Sequence, residues 1–109
     1  MTNKSLLIDT PVHIIQKYRA QLIAAGIPVE RIILFGSYAK GTAKPWSDAD
    51  LCVVSSIFGK DRYAERVSLA KLTSGVEDMI EPYPYHPDEL MDPFDPLAQE
   101  IRMYGKLIV

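Results

Sequence analysis

The stretch LFGSYAKGTAKPWSDADLCVV, residues 34–54, places a Gly-Ser pair after an apolar run and two aspartates before another apolar run. The aspartates, Asp48 and Asp50, are separated by one alanine, and Asp48 follows Ser37 by eleven residues. Alternate side chains of a β-strand share a face, so the two aspartates would point the same way with Cα atoms about 7 Å apart. Such a pair can converge on magnesium, which takes oxygen ligands and completes its shell with substrate phosphates. The motif therefore predicts a metal site for phosphate chemistry, and the alternative is an acidic turn between strands.

The Gly-Ser pair indicates the phosphate side of the same site. Gly36 follows a buried strand and would let the backbone approach a phosphate closely. Ser37 would open a helical turn and offer its hydroxyl and its backbone N–H to an anion. Lys40 would add positive charge near a polyphosphate. Each piece alone is common in ordinary turns, but their combination at this spacing, with apolar strands behind both, is specific.

With these residues in place, the stretch resembles the signature of the nucleotidyltransferase superfamily related to DNA polymerase beta, and most closely that of its minimal members. The resemblance continues downstream in IEPYPYHPDEL, residues 80–90, and in QEIRMYGKLIV, residues 99–109. It covers most of the chain from about residue 11 onward. It implies an α/β (α+β) fold like the polymerase beta palm, in which helices flank a small mixed β-sheet.

The resemblance also implies roles for individual residues. It places the triphosphate of ATP against the Gly-Ser pair and two Mg²⁺ ions on Asp48 and Asp50. Glu81 is the best match for the third metal-binding carboxylate, with Glu77 and Asp78 as alternatives. Glutamate stands here where many relatives have aspartate, and prolines flank the neighbouring tyrosine. One of the three carboxylates would help to deprotonate the acceptor hydroxyl.

For the minimal members, the resemblance implies an all-helical partner of the HEPN type, forming a toxin–antitoxin module. The nucleotidyltransferase is then the antitoxin and transfers AMP from ATP to a hydroxyl of the partner, such as a tyrosine. Two alternatives stay open: transfer to an aminoglycoside-like small molecule with a helical partner subunit, and an antitoxin that acts by binding alone. Association with a second copy or with a partner is compatible with each.

Hydrophobic periodicity and turn residues predict the order helix, strand, short helix, strand, helix, strand, helix, which is typical of an α/β or α+β sandwich with a small mixed sheet. Thr10 and Pro11 indicate the start of the first helix, whereas Asp95 and Pro96 indicate the start of the last. The third strand contains two prolines, which favour a sheet edge. The predicted helices span 11–25, 37–41, 61–73 and 96–104, and the predicted strands span 31–35, 50–54 and 78–85.

Composition limits the classes of function. The 109 residues are 48% apolar and 24% charged, which predicts one globular domain over residues 1–109. The net charge of −2 disfavours general nucleic-acid binding. Cys52, the single cysteine, cannot form an internal disulfide, and neither a signal peptide nor a membrane span is indicated. The expected location is the cytoplasm.

Other candidate residues have structural interpretations. No nucleophile-elbow pattern surrounds Ser37, so a serine hydrolase that uses it with His86 is disfavoured. His13 and His86 lack partners at zinc spacing. Trp46 would either stack on a base or contact a partner, or else pack within its loop. The acidic segment PDELMDPFD, residues 87–95, is interpreted as a solvated turn.

Overall fold

The computed structural model describes residues 2–73 and 80–109, with side chains described for 12–73 and 80–109. Helices and strands alternate along most of this length, as the hydrophobic periodicity predicts. In chain order the elements are α1 (Thr2–Ala24), β1 (Arg31–Phe35), α2 (Ser37–Lys40), β2 (Ala49–Val54), α3 (Arg62–Lys71), β3 (Ile80–Tyr85), α4 (Pro87–Leu90), α5 (Pro96–Tyr104) and β4 (Lys106–Leu107).

The strands form a mixed sheet in the order β3-β2-β1-β4. Strand β1 is antiparallel to both β2 and β4, whereas β2 and β3 run parallel and are connected through α3. Residues 51–54 of β2 are all buried, as expected for an inner strand covered on both faces. The predicted fold class, a small mixed sheet flanked by helices, is confirmed.

Two apolar clusters cover the two faces of the sheet. On one face, α1 packs Ile15 and Leu22 in the same cluster as Leu51 and Val53 of β2. The alternate residues of β2 belong to the second cluster, which includes residues of α4 and α5. Because successive side chains of a strand point to opposite faces, the inner strands β1 and β2 each supply residues to both clusters. The carboxylates discussed below lie on the face that α5 covers.

The prediction that β3 lies at a sheet edge is confirmed. Ser55 N–H donates to the Tyr85 carbonyl oxygen at 3.0 Å, so the backbone of Tyr85 bonds toward β2. Because backbone groups alternate sides along a strand, Pro82 and Pro84 turn their backbone nitrogens away from β2. The missing N–H groups therefore remove no hydrogen bond between β3 and β2. The two prolines also make the open edge of β3 a poor partner for another strand.

Two local predictions were wrong. Helix α1 begins at Thr2 and continues through Pro11, so Thr10 does not open it. A proline within a helix removes one backbone hydrogen bond, and here the helix continues past it. The segment expected to be a solvated turn contains α4, which His86 caps by accepting from the Asp88 N–H at 3.0 Å. None of the helices in the described ranges combines the length and the apolar character needed to cross a membrane.

A buried hydrogen bond joins α1 to α3. Tyr18 is fully buried, and its hydroxyl donates to the Leu69 carbonyl oxygen at 2.8 Å. Burial raises the pKa of Tyr18 above its ordinary value, so the hydroxyl keeps its proton at neutral pH. This bond fixes α3, and with it the position of the α3 arginines described below.

We expect Tyr18→Phe to lower the free energy of unfolding by about 1 kcal/mol, because the buried carbonyl loses a donor while the ring still fills its space. Urea denaturation of the wild-type protein and the variant would measure this. An unchanged midpoint would show that the bond contributes nothing to stability.

Candidate active site

The site is built at the ends of three strands. Asp50 is the second residue of β2, and it lies in register with Phe35 at the end of β1 and with Glu81, the second residue of β3. Residues in register on neighbouring strands share a face of the sheet, and parallel neighbours lie about 4.8 Å apart. The pairing therefore sets the carboxylates of Asp50 and Glu81 side by side on the face covered by α5.

Gly36, between β1 and α2, lies directly against Asp50. Its backbone has φ 76°, a conformation that favours glycine, and a Cβ atom there would collide with Oδ2 of Asp50. The sequence motif predicts that this glycine lets a phosphate approach the backbone closely. Within the chain itself, the group that it makes room for is the Asp50 carboxylate.

Asp48 lies just outside β2, which begins at Ala49, and its side chain is exposed. Ala49 is buried and Asp50 half-buried, so exposure alternates through the motif as the expected alternation of faces requires. Asp48 also raises the pKa of Asp50 through its negative charge. The two aspartates therefore belong to one electrostatic cluster, although Asp48 is held by the loop and not by the sheet.

The pKa of Asp50 is raised from its ordinary value of 3.8 to about 6. Burial is the main cause, followed by the negative charges of Glu81, Asp48 and Glu100, while Arg66 acts in the opposite direction. Glu100 comes from α5, and no motif singled it out in the sequence. Burial and three like charges make the ionised form of Asp50 costly, and a bound cation would relieve that cost.

Glu81 has a cationic neighbour that the sequence did not indicate. Arg66 of α3 donates from Nη2 to Glu81 Oε2 at 3.3 Å, and its guanidinium carbon lies 4.2 Å from the centroid of the Tyr83 ring. Helix α3, which precedes β3 in the chain, thus contacts the candidate third carboxylate, Glu81. Only the position of α3 across β3 could reveal this contact.

Lys40 and Ser37 lie on α2. Lys40 Nζ is 3.5 Å from Glu100 Oε2 and 5.1 Å from the centroid of the Tyr104 ring, so its charge is directed toward α5. Ser37 is the first residue of α2, and among the described residues no side chain caps this helix. The backbone N–H groups at its start are therefore not taken up by a cap.

The remaining candidate residues do not contribute carboxylates to the cluster. Trp46 is 79% exposed in the loop before Asp48, with Lys44 Nζ 5.9 Å from its ring centroid. His13 is exposed on α1, and His86 serves as the cap of α4. The alternatives to Glu81, Glu77 and Asp78, lie outside the described residues.

The donor atoms of the cluster fit a hard divalent cation. Asp48, Asp50 and Glu81 offer only carboxylate oxygens, the ligands that magnesium prefers. In the ranges that the structure describes, no three His, Cys, Asp or Glu side chains are already gathered around one point. Such preassembly is not required of a magnesium site, because the ion keeps several waters and takes ligands from substrate phosphates. The repulsion that raises the pKa of Asp50 is the observation in favour of a cation here.

The chain matches the family model described as a nucleotidyltransferase domain over residues 15–99. This match covers most of the chain, which therefore belongs to the nucleotidyltransferase domain family. The matched range includes the Gly-Ser pair and all three candidate carboxylates. The chain is accordingly a nucleotidyltransferase.

Solved structures agree with this assignment. A toxin–antitoxin crystallised with AMP-PNP is 29% identical to this chain, with a TM-score of 0.60, covering 85% of this chain and 71% of the other. A mutant of the toxin–antitoxin MntA-HpeT is 26% identical, with a TM-score of 0.59 and coverages of 86% and 70%. A proposed nucleotidyltransferase from Sulfolobus solfataricus is 16% identical, with a TM-score of 0.59 and coverages of 93% and 78%, and shows the shared fold alone. Among curated proteins, none matches the chain.

We expect Asp50→Asn to stabilise the metal-free protein. Because the folded-state pKa is raised, the charged carboxylate costs stability above pH 6, and this cost disappears as the pH falls toward 4. The gain should be about 1–2 kcal/mol at pH 8, reduced from the full shift because the group is half-exposed, and should approach zero near pH 4.

Urea denaturation at several pH values in the presence of a chelator would measure this gain. The matched control is Asp88→Asn, since the Asp88 side chain is 95% exposed and lies on α4. A gain that is equal at pH 4 and pH 8 would contradict the electrostatic explanation.

Proposed function

We propose that this chain transfers AMP from ATP to a hydroxyl, such as that of a tyrosine, on an all-helical HEPN-type partner toxin and so acts as the antitoxin. The observation that carries the proposal is the register that sets Asp50 beside Glu81, with Asp48 at the entrance of the same strand. These carboxylates lie at the end of β1, where the Gly-Ser pair begins α2. The carboxylates that would hold a cation thus adjoin the residues that would hold a phosphate.

Two features of the comparison proteins support the nucleotide and the partner. One similar structure contains AMP-PNP, an analogue of ATP, and belongs to a toxin–antitoxin. A mutant of MntA-HpeT carries two aspartate-to-glutamate substitutions two positions apart, which is the spacing of Asp48 and Asp50. The HEPN class of the partner and the tyrosine acceptor come from the resemblance to minimal nucleotidyltransferases.

Asp48, Asp50 and Glu81 would hold Mg²⁺, with two ions as the expected number. Bound there, magnesium would polarise the α-phosphate and neutralise charge that develops on the attacking and leaving oxygens. Gly36 and Ser37 would hold the triphosphate through backbone N–H groups and the serine hydroxyl. The acceptor oxygen forms a bond to the α-phosphorus, and the bond to pyrophosphate breaks. One of the three carboxylates takes the acceptor proton, and pyrophosphate leaves.

The acceptor would approach from the open side of the carboxylate cluster. Asp48 is exposed there, and Trp46, two residues earlier, presents a large apolar surface to solvent. Exposed tryptophans are enriched where proteins bind one another, because one flat side chain can bury a large area. Trp46 is therefore the residue on this side of the site that we expect to contact the acceptor molecule.

The test is transfer of label from ATP to the protein encoded beside this chain, co-purified with it. We expect label from [α-³²P]ATP, and none from [γ-³²P]ATP, to become attached to the partner in the presence of Mg²⁺. Replacing Asp48 and Asp50 by alanine should lower the rate by at least about a thousandfold, because the ligands of the metal are lost. Asp88→Ala, an exposed aspartate on α4, is the matched control and should transfer at the wild-type rate.

Other outcomes separate the alternatives. Label that reaches an aminoglycoside but no protein would indicate a small-molecule acceptor. Cells protected from the toxin as well by the double alanine variant as by the wild-type chain would indicate an antitoxin that acts by binding alone. Transfer of the γ-phosphate would contradict nucleotidyl transfer to this partner.

A further inference from the structure

Two arginines one helical turn apart on α3 make the same kind of contact with β3. The guanidinium carbon of Arg62 lies 4.8 Å from the Tyr85 ring centroid, and that of Arg66 lies 4.2 Å from the Tyr83 ring centroid. Each guanidinium also forms an ion pair with a carboxylate. The same set of contacts, an arginine over a tyrosine ring and paired with a glutamate, therefore occurs at two positions along β3.

The two positions differ in which carboxylate the arginine holds. Arg62 Nη2 lies 3.1 Å from Oε2 of Glu89, a residue of α4 that also accepts from the His86 N–H. Arg66 Nη2 lies 3.3 Å from Oε2 of Glu81, which is in register with Asp50. Arg62 thus pairs with a glutamate of the α4 capping box, whereas Arg66 pairs with a carboxylate of the candidate site.

The contacts of Arg66 restrict its guanidinium in two ways. The cation–π contact with Tyr83 holds the guanidinium over that ring, and the hydrogen bond to Glu81 directs one N–H group toward the carboxylate. The bond uses one oxygen of Glu81, so the other oxygen can coordinate a cation at the same time. Carboxylates that bind metals are commonly oriented by such a partner in the outer shell.

Arg66 also carries the positive charge among the groups that act on Asp50. Asp50 is in register with Glu81, so the cation bonded to Glu81 also lies near Asp50. Without the arginine, the hydrogen bond at 3.3 Å would be lost, and the Glu81 side chain, which is 44% exposed, would be free to turn into solvent. The arrangement keeps two carboxylates together that would otherwise separate.

We propose that Arg66 is a positioning residue for the metal site: stacked on Tyr83, it holds the Glu81 carboxylate beside Asp50 in the orientation that a divalent cation needs. This inference rests on the proposed function, because it requires Glu81 to be a metal ligand. It adds a residue from α3 to a site otherwise built from the sheet and its loops.

The test is the affinity of the purified chain for Mg²⁺ without nucleotide, measured by calorimetry. Arg66→Met keeps a long apolar stem but removes the guanidinium, and we expect it to weaken Mg²⁺ binding by about 10- to 100-fold. Loss of one positive charge alone would strengthen binding of a cation. The sign of the change therefore separates positioning from simple electrostatics, and unchanged or tighter binding would overturn the proposal.

Arg62→Met is the matched control, since it removes the same group from the same helix and from an equivalent stack. It should lower stability to a similar degree and leave Mg²⁺ affinity unchanged. Arg66→Lys should bind Mg²⁺ with intermediate affinity, because lysine keeps an N–H donor for Glu81 but lacks the flat group that lies over Tyr83. If Arg66→Met does not fold, Tyr83→Leu removes the ring beneath the guanidinium, together with its edge contact to Phe35, and should also weaken binding.

A double-mutant cycle with Glu81→Gln tests the route of the effect. If Arg66 acts through Glu81, Arg66→Met should change Mg²⁺ affinity little in the Glu81→Gln protein, and fully additive losses would contradict this route. Wild-type protein that binds no Mg²⁺ without nucleotide would overturn this proposal, whereas label transfer that proceeds without Mg²⁺ would contradict the metal-dependent function. Arg66-dependent Mg²⁺ binding without label transfer would support positioning and contradict only the proposed acceptor.

Discussion

The main constraint on this structure is that the carboxylate of Asp50 lies, half-buried, on an inner strand of the sheet. An ionised carboxylate in such a place is disfavoured by lost hydration, and here Glu81, Asp48 and Glu100 add repulsion. The surrounding residues accommodate it in two ways. Gly36 leaves out the Cβ atom that would collide with the carboxylate, and Arg66 supplies a compensating charge. Stability is given up at this point, as is common where residues serve a function.

The edge position of β3 makes this arrangement accessible. An edge strand is bonded on one side only, so α3 can pack across it and bring its arginines over the alternating tyrosines. The prolines of β3 occupy the positions whose nitrogens point away from β2, which protects the open edge without weakening the ladder. A strand in the middle of the sheet could not contact α3 in this way, and the third carboxylate would then lack its cationic neighbour.

Sequence patterns predicted the features that local chemistry determines. The run of residues 31–35 is β1 to the residue, and Asp95 caps α5 by accepting from two backbone N–H groups, as the Asp-Pro signal indicates. Local signals failed where a partner elsewhere decides the outcome. Strand β4 forms by pairing with β1, and α4 is capped by a histidine, which is not a usual capping residue. The contact of Arg66 with Glu81 joins residues fifteen positions apart and has no local signature.

Lys40 shows how the donor side of the site connects to the rest of the molecule. Its ammonium group lies between Glu100 and the ring of Tyr104, so α2 is joined to α5 through a single charge. The side chains of both members of the ion pair are more than one-third exposed, at 41% and 35%. Pairs this exposed contribute roughly 0–1 kcal/mol to stability. A triphosphate at the start of α2 would offer Lys40 a stronger partner at little cost. Glu100 would then lose its counter-ion beside Asp50, and the cluster would attract a cation more strongly, so binding of the nucleotide and of the metal should reinforce each other.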